Sequence, residues 1–135
     1  MDQLLVDTNI VLDLLAKRED FYEEASLLFS LADKEKVKLH VSSLTFANTH
    51  YILSRNTTEQ ETRKVLKNLK LLVNVLPMDD KIIELALNSD FKDFEDAIQY
   101  YTAIENDLKV IITRNLKDFK RSKMPVMRAA DYLSQ

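Results

Sequence analysis

The feature that most constrains the fold of this sequence is a series of short apolar runs, separated by longer segments with helical periodicity. The two clearest runs are Leu4–Val6 and Val110–Ile112. Both are continuous rather than alternating, which is typical of parallel strands buried on both faces. Strands that alternate with helices along a chain form a parallel sheet covered by helices on each side. We therefore predict an α/β fold with three layers, α/β/α, around a central parallel sheet of four to five strands.

Apolar spacing and capping residues place the individual elements along the chain. Strands are predicted at residues 3–6, 37–41, 72–76 and 109–112, with a short fifth at 125–127. Helices are predicted at residues 9–16 and 20–34, from Ser42 or Ser43 to about 53, from Thr57 or Thr58 to about 71, from Asp79 or Asp80 to about 87, over a longer stretch from 94 to 108, and as a final turn at 129–133.

Length and composition exclude several classes of protein and of site. The 135 residues, 46% hydrophobic and 30% charged, fit one globular domain spanning residues 1–135. The chain has no glycine, which excludes the glycine-rich loops of dinucleotide and P-loop sites. It also has no cysteine, which excludes disulfides, a thiolate nucleophile and a cysteine-based zinc site.

The charge and hydropathy patterns predict a cytoplasmic protein without a membrane partner. No apolar run is long enough to cross a membrane, and the first residues lack the basic start of a signal peptide. The net charge of −3 does not indicate a nucleic-acid binder overall. Basic residues still cluster after the run Val110–Ile112, where they either form a solvated face or follow a phosphate backbone. That cluster comprises Arg114, Lys117, Lys120, Arg121, Lys123 and Arg128.

Acidic residues follow the apolar runs in a way that predicts a cation site. Asp7-Thr8-Asn9 ends the first run, Thr113-Arg114-Asn115 ends the later one with Asp118 close behind, and Asp93–Asp96 starts the long helix. Ligands of parallel sheets bind outside the carboxyl ends of the strands, where these segments would meet. Carboxylates gathered at one point repel each other unless a positive charge lies among them. A hard divalent cation with oxygen ligands is the natural candidate.

Several of these acids also have a purely structural interpretation. Asp7 and Asp93 are both suited to cap the helices that follow them. The helix dipole also stabilises a negative side chain in the first turn. Asp118 suits a local turn in which its side chain accepts a backbone N–H. Glu95 is predicted to point away from its neighbours and to be solvated. These alternatives stay open on the local pattern alone.

Asn48 is the one candidate that lies inside a helix rather than at a strand end. We predict it on the apolar side of that helix, together with Leu44, Ala47, Tyr51 and Ile52. An amide there would either be a hydrogen-bonded core group or reach the strand ends and hold a water molecule. The pattern does not decide between these two roles.

Taken in chain order, the motifs resemble a PIN domain. Asp7-Thr8-Asn9 after the first strand, Asp96-Ala97 at a helix start, and Thr113-Arg114-Asn115 before Asp118-Phe119 carry the resemblance, which covers nearly the whole chain. No single motif is specific, but the ordered set is. The resemblance implies an α/β/α fold, a metal-dependent ribonuclease, RNA as substrate and, by likeness to the VapC-type toxins among small bacterial PIN domains, an antitoxin partner and a homodimer.

The resemblance also implies roles for individual residues. Asp7 matches the first acid of the family and Asp96 the third, so both are expected to bind Mg²⁺ or Mn²⁺ directly. The second and fourth acidic positions fall on Asn48 and Asn115, which are amides. Asp93 and Asp118 are expected to compensate in part, through water or by holding the direct ligands. The expected catalytic set is Asp7, Asn48, Asp93, Asp96, Asn115 and Asp118, with Thr8, Asn9, Thr113 and Arg114 orienting water or the scissile phosphate.

The chemistry of RNA hydrolysis agrees with such a set. Mg²⁺ keeps several waters and needs only one or two direct carboxylates, and the reaction then needs no protein nucleophile. A haloacid-dehalogenase-like phosphatase would need an aspartate at Asn9, and a response-regulator receiver would need a mid-chain acceptor that Asp79 does not supply well. The resemblance therefore implies a metal-dependent ribonuclease that is the toxin of a toxin–antitoxin pair. The alternative is a PIN-like RNA- or protein-binding module without turnover, because the two amides lower the charge of the site.

Overall fold

Five short strands form one fully parallel sheet in the computed structural model, which describes residues 1–135. The strands are β1 (Asp2–Val6), β2 (Val37–Ser42), β3 (Val73–Leu76), β4 (Val110–Ile112) and β5 (Val126–Met127). Their order across the sheet is β3-β2-β1-β4-β5, and every pairing is parallel. The prediction of a parallel sheet of four to five strands is therefore confirmed.

All the predicted helices are present, with ends that differ by a few residues. They are α1 (Thr8–Leu15), α2 (Tyr22–Asp33), α3 (Ser43–Leu53), α4 (Glu59–Lys70), α5 (Asp80–Leu87), α6 (Phe94–Glu105) and α7 (Ala129–Leu133). Capping side chains fix several starts: Ser42, Thr58 and Asp79 each accept a hydrogen bond from a backbone N–H of the following turn. A short 3-10 helix, Leu116–Phe119, replaces the polar turn expected after β4.

Because the chain has no glycine, other residues end its helices in the left-handed conformation. Lys17, Glu35 and Asp107 have φ angles of 50°, 59° and 56°, and they follow α1, α2 and α6. For a residue with a Cβ atom this conformation costs roughly 1–2 kcal/mol. The rest of the fold therefore determines these helix ends against the local preference.

The two faces of the sheet pack against different helices, which gives the predicted three layers. Leu4 and Val6 on β1 lie in one core cluster with residues of α1 and α2. Leu5, which points to the opposite face, packs with Tyr100 and Ala103 of α6. All three β1 side chains are fully buried. The alternation along β1 thus sets helices on both faces of the sheet.

The strand register brings the ends of β1 and β4 to the same level. Val6 is paired with Ile112, so that Asp7 and Thr113 are the next residues on neighbouring strands. The backbone N–H of Asp7 donates to the carbonyl of Ile112 over 2.9 Å, which continues the ladder by one step. β2 ends at the same edge with Ser42, which caps α3. No helix of the chain has the length and apolar character needed to cross a membrane.

Candidate active site

Asp7 lies in a nearly closed pocket at the end of β1, where both of its carboxylate oxygens are held. It is only 6% exposed. One oxygen accepts the backbone N–H of Thr8 at 2.8 Å, which makes Asp7 the cap of α1. The other accepts the hydroxyl of Thr113 at 2.8 Å and, more weakly, the amide of Asn9 at 3.4 Å. Asp7 is therefore a helix cap, and its carboxylate is fixed in place from both neighbouring strand ends.

Asp96 lies in the first turn of α6 and faces the same acid cluster. Burial, followed in order by the nearby negative charges of Asp7, Asp93 and Asp118, raises its pKa to about 7. Burial also raises the pKa of Asp7, against the lowering effect of its hydrogen bond from Thr113. Burial and mutual repulsion make the charged forms of these two carboxyls unfavourable. A bound cation would stabilise both carboxylates.

Asp93 and Asp118 form the exposed rim of this cluster. Asp93 caps α6 by accepting the N–H of Asp96 at 3.1 Å, as its structural interpretation predicted. Asp118 lies in the 3-10 helix after β4. Glu95 is exposed, but its charge raises the pKa of both Asp7 and Asp96. The exposure of Glu95 agrees with the prediction that it is solvated, and its charge still acts on the site.

The donor set of the cluster fits an oxygen-preferring divalent cation that retains water ligands. Asp7 and Asp96 supply two carboxylates, and Mg²⁺ commonly uses one or two. No three histidine, aspartate or glutamate side chains are grouped closely enough to bind a metal together. The hydroxyl of Thr113 and the amide of Asn9 add neutral polar groups beside Asp7.

The face of α3 that turns inward is different from the one we predicted. Asn48 is half-buried, whereas Ala47 is exposed and Tyr51 is 62% exposed. The fully buried side chains of this helix are Thr45 and Thr49. The predicted face is therefore wrong for Ala47 and Tyr51, whereas Leu44, Asn48 and Ile52 are half-buried and Leu44 packs against the core.

A buried glutamine that the sequence analysis did not single out lies under the acid cluster. Gln99 is 2% exposed, and its amide donates to the hydroxyl of Thr45 at 3.1 Å and to that of Thr8 at 3.4 Å. The hydroxyls of Thr8 and Thr45 are themselves 2.9 Å apart. This network connects α6, α1 and α3. Its one sequence signal is the position of Gln99 three residues after Asp96, on the same helical face.

The turn after β4 is held by a buried ion pair. Both oxygens of Asp13, which is 1% exposed, accept N–H groups of the Arg114 guanidinium at 2.8 and 3.0 Å. The guanidinium also lies 4.0 Å from the ring centre of Phe21. Within the turn, the N–H of Asn115 donates to the hydroxyl of Thr113 at 3.1 Å. We therefore interpret Arg114 as an anchor of this turn rather than as a group that orients phosphate.

Comparison with known proteins finds relatives along nearly the whole chain. The family model for the PIN domain matches residues 3–117. Ribonuclease VapC1 from Aquifex aeolicus (strain VF5) is 25% identical over 97% of this chain and 93% of its own length. A chain of a toxin–antitoxin complex from Klebsiella pneumoniae is 28% identical, with a TM-score of 0.69 over 93% of this chain and 97% of that one.

More distant structures share the fold. VapC20 from Mycobacterium tuberculosis, described as a toxin that cleaves the sarcin-ricin loop, superposes with a TM-score of 0.62. The match covers 80% of this chain and 86% of that one at 16% identity. At this identity the likeness supports the same three-layer architecture.

Proposed function

Because this chain belongs to the PIN domain family, we propose that it is a metal-dependent ribonuclease that hydrolyses phosphodiester bonds of RNA. One observation carries the proposal: Asp7 follows β1 at the carboxyl end of the parallel sheet, and its charge acts on Asp96, whose pKa, like that of Asp7, is raised by burial. Carboxyl groups whose pKa values are shifted by burial and by neighbouring charge are typical of functional sites. The similarity to ribonuclease VapC1 of Aquifex aeolicus also supports a ribonuclease function.

Asp7 and Asp96 would hold Mg²⁺ or Mn²⁺ through carboxylate oxygens. Such a cation, when bound, activates water toward phosphorus and stabilises the negative charge that develops on the phosphate. The hydroxyl of Thr113 and the N–H of Thr8 keep the carboxylate of Asp7 in one orientation. Because both donors are fixed before substrate arrives, the chain loses little entropy in arranging this ligand.

The exposed acids and the amides would act around the two direct ligands. Asp93 and Asp118 add negative charge at the rim, which strengthens the attraction for a cation without requiring direct contact. Asn48 and Asn115 carry neutral amides that can donate to a phosphate oxygen or orient a water molecule. Asn9 is 3.4 Å from Asp7 and can do the same.

We place this nuclease in the cytoplasm as the toxin of a toxin–antitoxin pair, with an antitoxin protein as its partner and a homodimer as its assembly. The support for an antitoxin comes from a relative. A chain of a toxin–antitoxin complex from Klebsiella pneumoniae is 28% identical to this protein and matches 93% of this protein's residues. An antitoxin would inhibit the nuclease by covering the acid cluster.

A PIN-like module that binds RNA or protein without turnover is the second candidate. The observation in its favour is that no three acidic or histidine side chains are grouped for metal binding. Amides at Asn48 and Asn115 lower the negative charge of the site and hence its attraction for a cation.

Cleavage of a pool of structured RNAs with Mg²⁺ or Mn²⁺ separates these two functions. The nuclease proposal expects products that disappear with EDTA and in the Asp96→Asn variant. Asp33→Asn, which makes the same chemical change at an exposed residue at the end of α2, should cut as the parent does. Metal-independent cutting, or equal cutting by the Asp96→Asn protein, would contradict the proposal. Absence of both cutting and Mn²⁺ binding would favour the binding module.

A further inference from the structure

Asp96 lacks the hydrogen bonds that fix Asp7, although both carboxylates belong to the acid cluster. The two oxygens of Asp7 accept from the N–H of Thr8 and the hydroxyl of Thr113. The carboxylate of Asp96 accepts no hydrogen bond from the protein and forms no salt bridge; only its backbone N–H is engaged, by Asp93. The position of Asp96 relative to Asp7 therefore depends on where the start of α6 lies.

Gln99 connects this part of α6 to the helix that begins after Asp7. It lies three residues after Asp96, one turn along the same helical face, and is 2% exposed. Its amide donates to the hydroxyl of Thr45 on α3 at 3.1 Å and to that of Thr8, the first residue of α1, at 3.4 Å. These are the only side-chain hydrogen bonds that join α6 to α1 or α3.

The three side chains form a closed set, which we call the Gln99 triangle: Gln99, Thr8 and Thr45. The hydroxyls of Thr8 and Thr45 are 2.9 Å apart, which completes its third side. Thr8 also donates its backbone N–H to the carboxylate of Asp7 at 2.8 Å. The triangle thus links the carboxylate of Asp7 to the turn of α6 that follows Asp96.

Repulsion between the two acids gives such a link a purpose. After burial, the charge of Asp7 is the largest cause of the raised pKa of Asp96. Like charges at short range push their carriers apart unless other contacts hold them. The Gln99 triangle joins the helices α1 and α6 beside these two acids, and so opposes their separation.

Stability does not account for the amide of Gln99. Its acceptor oxygen, Oε1, is buried without a hydrogen-bond partner, which lowers the free energy of unfolding. A methionine is unbranched and fills similar space without a buried polar group. With methionine in place of Gln99, the hydroxyls of Thr8 and Thr45 would still bond to each other. The fold itself therefore gains little from a glutamine at this position.

We propose that Gln99 is a positioning residue that sets the separation of the carboxylates of Asp7 and Asp96. The proposal rests on the metal-dependent ribonuclease function proposed above and adds the group that arranges its ligands. By holding α6 to the start of α1, Gln99 keeps Asp96 within reach of the cation that Asp7 would bind. Loss of the amide should weaken cation binding without weakening the fold.

Calorimetry of Mn²⁺ binding to the Gln99→Met protein, together with urea unfolding in EDTA, tests this role. We expect Mn²⁺ to bind about tenfold more weakly than to the parent, since groups that orient metal ligands typically contribute about 10–100-fold. The Mn²⁺ concentration for half-maximal RNA cleavage should rise by the same factor. The urea midpoint should equal that of the parent or exceed it. Weaker binding accompanied by a lower urea midpoint would overturn the proposal, because the amide would then hold the fold rather than the site.

Substitutions of Thr45 open the triangle from α3 without changing α6. Thr45→Val removes the hydroxyl and should weaken Mn²⁺ binding as Gln99→Met does, whereas Thr45→Ser keeps the hydroxyl and should bind as the parent does. The double variant Gln99→Met/Thr45→Val should bind no more weakly than the weaker single variant, since both break the same contact. Additive losses in the double variant would contradict a shared role.

Thr49 offers a matched control on the same helix. It lies one turn after Thr45, is also fully buried, and its hydroxyl has no hydrogen-bond partner. Thr49→Val therefore makes the same chemical change outside the triangle, and it should leave Mn²⁺ affinity unchanged. Equal weakening in Thr45→Val and Thr49→Val would overturn the proposal, because affinity would then depend on the packing of α3.

The outcomes separate this proposal from that of the nuclease. If the parent binds Mn²⁺ and cuts RNA, and Gln99→Met binds and cuts equally well, only the positioning role is overturned. If the parent binds Mn²⁺ but cuts no RNA, and Gln99→Met binds it more weakly, the positioning role is supported and the nuclease is contradicted. Absence of Mn²⁺ binding by the parent would overturn both, because there would be no cation site to arrange.

Discussion

The pocket around Asp7 and the rim formed by Asp93 and Asp118 have the same charge but are built in opposite ways. Asp7 is buried and accepts hydrogen bonds on both oxygens. Asp93 and Asp118 are exposed, and the only side-chain bond between them and the protein is the cap that Asp93 makes to Asp96. The pocket therefore fixes geometry, whereas the rim supplies charge that solvent and salt can screen. The effects of substitutions on activity and stability should consequently differ between the pocket and the rim, both in kind and in size.

The largest difference between pocket and rim should appear in activity. Asp7→Asn removes a direct ligand, and we expect cleavage to fall by roughly 10³-fold, since direct metal stabilisation contributes several kcal/mol. The fold should persist because an amide oxygen can still accept from Thr8 or Thr113. Asp118→Asn should cost only about tenfold. Initial rates at saturating Mn²⁺ measure both, and similar losses in the two variants would remove the distinction between pocket and rim.

The next largest effect concerns the anchor that supports the pocket. Arg114→Met leaves the carboxylate of Asp13 buried, with only Arg18 at 3.6 Å nearby. We expect a loss of about 3 kcal/mol in the free energy of unfolding, measured in urea. Arg114→Lys keeps the charge but not the paired contacts, and should lose about 1 kcal/mol. An Arg114→Met protein as stable as the parent would show that the ion pair does not hold this turn.

Asp93 has two roles that substitutions can separate. Asp93→Ala removes both the helix cap and the charge, whereas Asp93→Ser keeps a capping oxygen. We expect a loss of about 1 kcal/mol of stability in the alanine variant and little in the serine variant. Cleavage should fall by a similar factor in both, because both lose the charge. Full activity in Asp93→Ser would show that Asp93 serves the site only as a cap.

The smallest effect is the pH dependence of stability in the metal-free protein. The pKa of Asp96 is about 7 in the fold, against an ordinary value of 3.8 for aspartate, so the folded state holds an extra proton between those pH values. The free energy of unfolding should therefore fall slightly as pH rises from about 4 to about 7, because water screens much of the charge on this carboxylate. Comparison of urea midpoints with those of Asp96→Asn isolates this carboxyl. An identical pH dependence in both proteins would contradict the raised pKa.

The strand ends could be predicted from the sequence because burial leaves a simple pattern there. Leu4–Val6 is continuous and apolar, and its end at Asp7 is therefore visible without any long-range information. Parallel packing then places the ends of β1 and β4 together. The position of Asp7 beside Thr113 follows from that rule, although the two residues are 106 positions apart.

The supporting contacts could not be predicted in the same way. The pairing of Arg114 with Asp13 joins residues 101 positions apart, and no local pattern marks either as a partner. The inward face of α3 was mistaken because Thr45 and Thr49 are buried through contacts with other helices, while Ala47 is exposed. The hydrophobic pattern of a helix predicts its buried face correctly only when that face is apolar.

Mn²⁺ binding measured by calorimetry on the parent, Asp7→Asn and Asp96→Asn proteins addresses the acid cluster most directly. If Asp7 and Asp96 together hold the catalytic cation, the parent binds Mn²⁺ and each single variant loses that binding while remaining folded. Mn²⁺ should also stabilise the parent alone against urea, by about 2.7 kcal/mol at a hundred times Kd. Equal binding by all three proteins, or none by the parent at millimolar Mn²⁺, would contradict the assignment of these two carboxylates as the metal site.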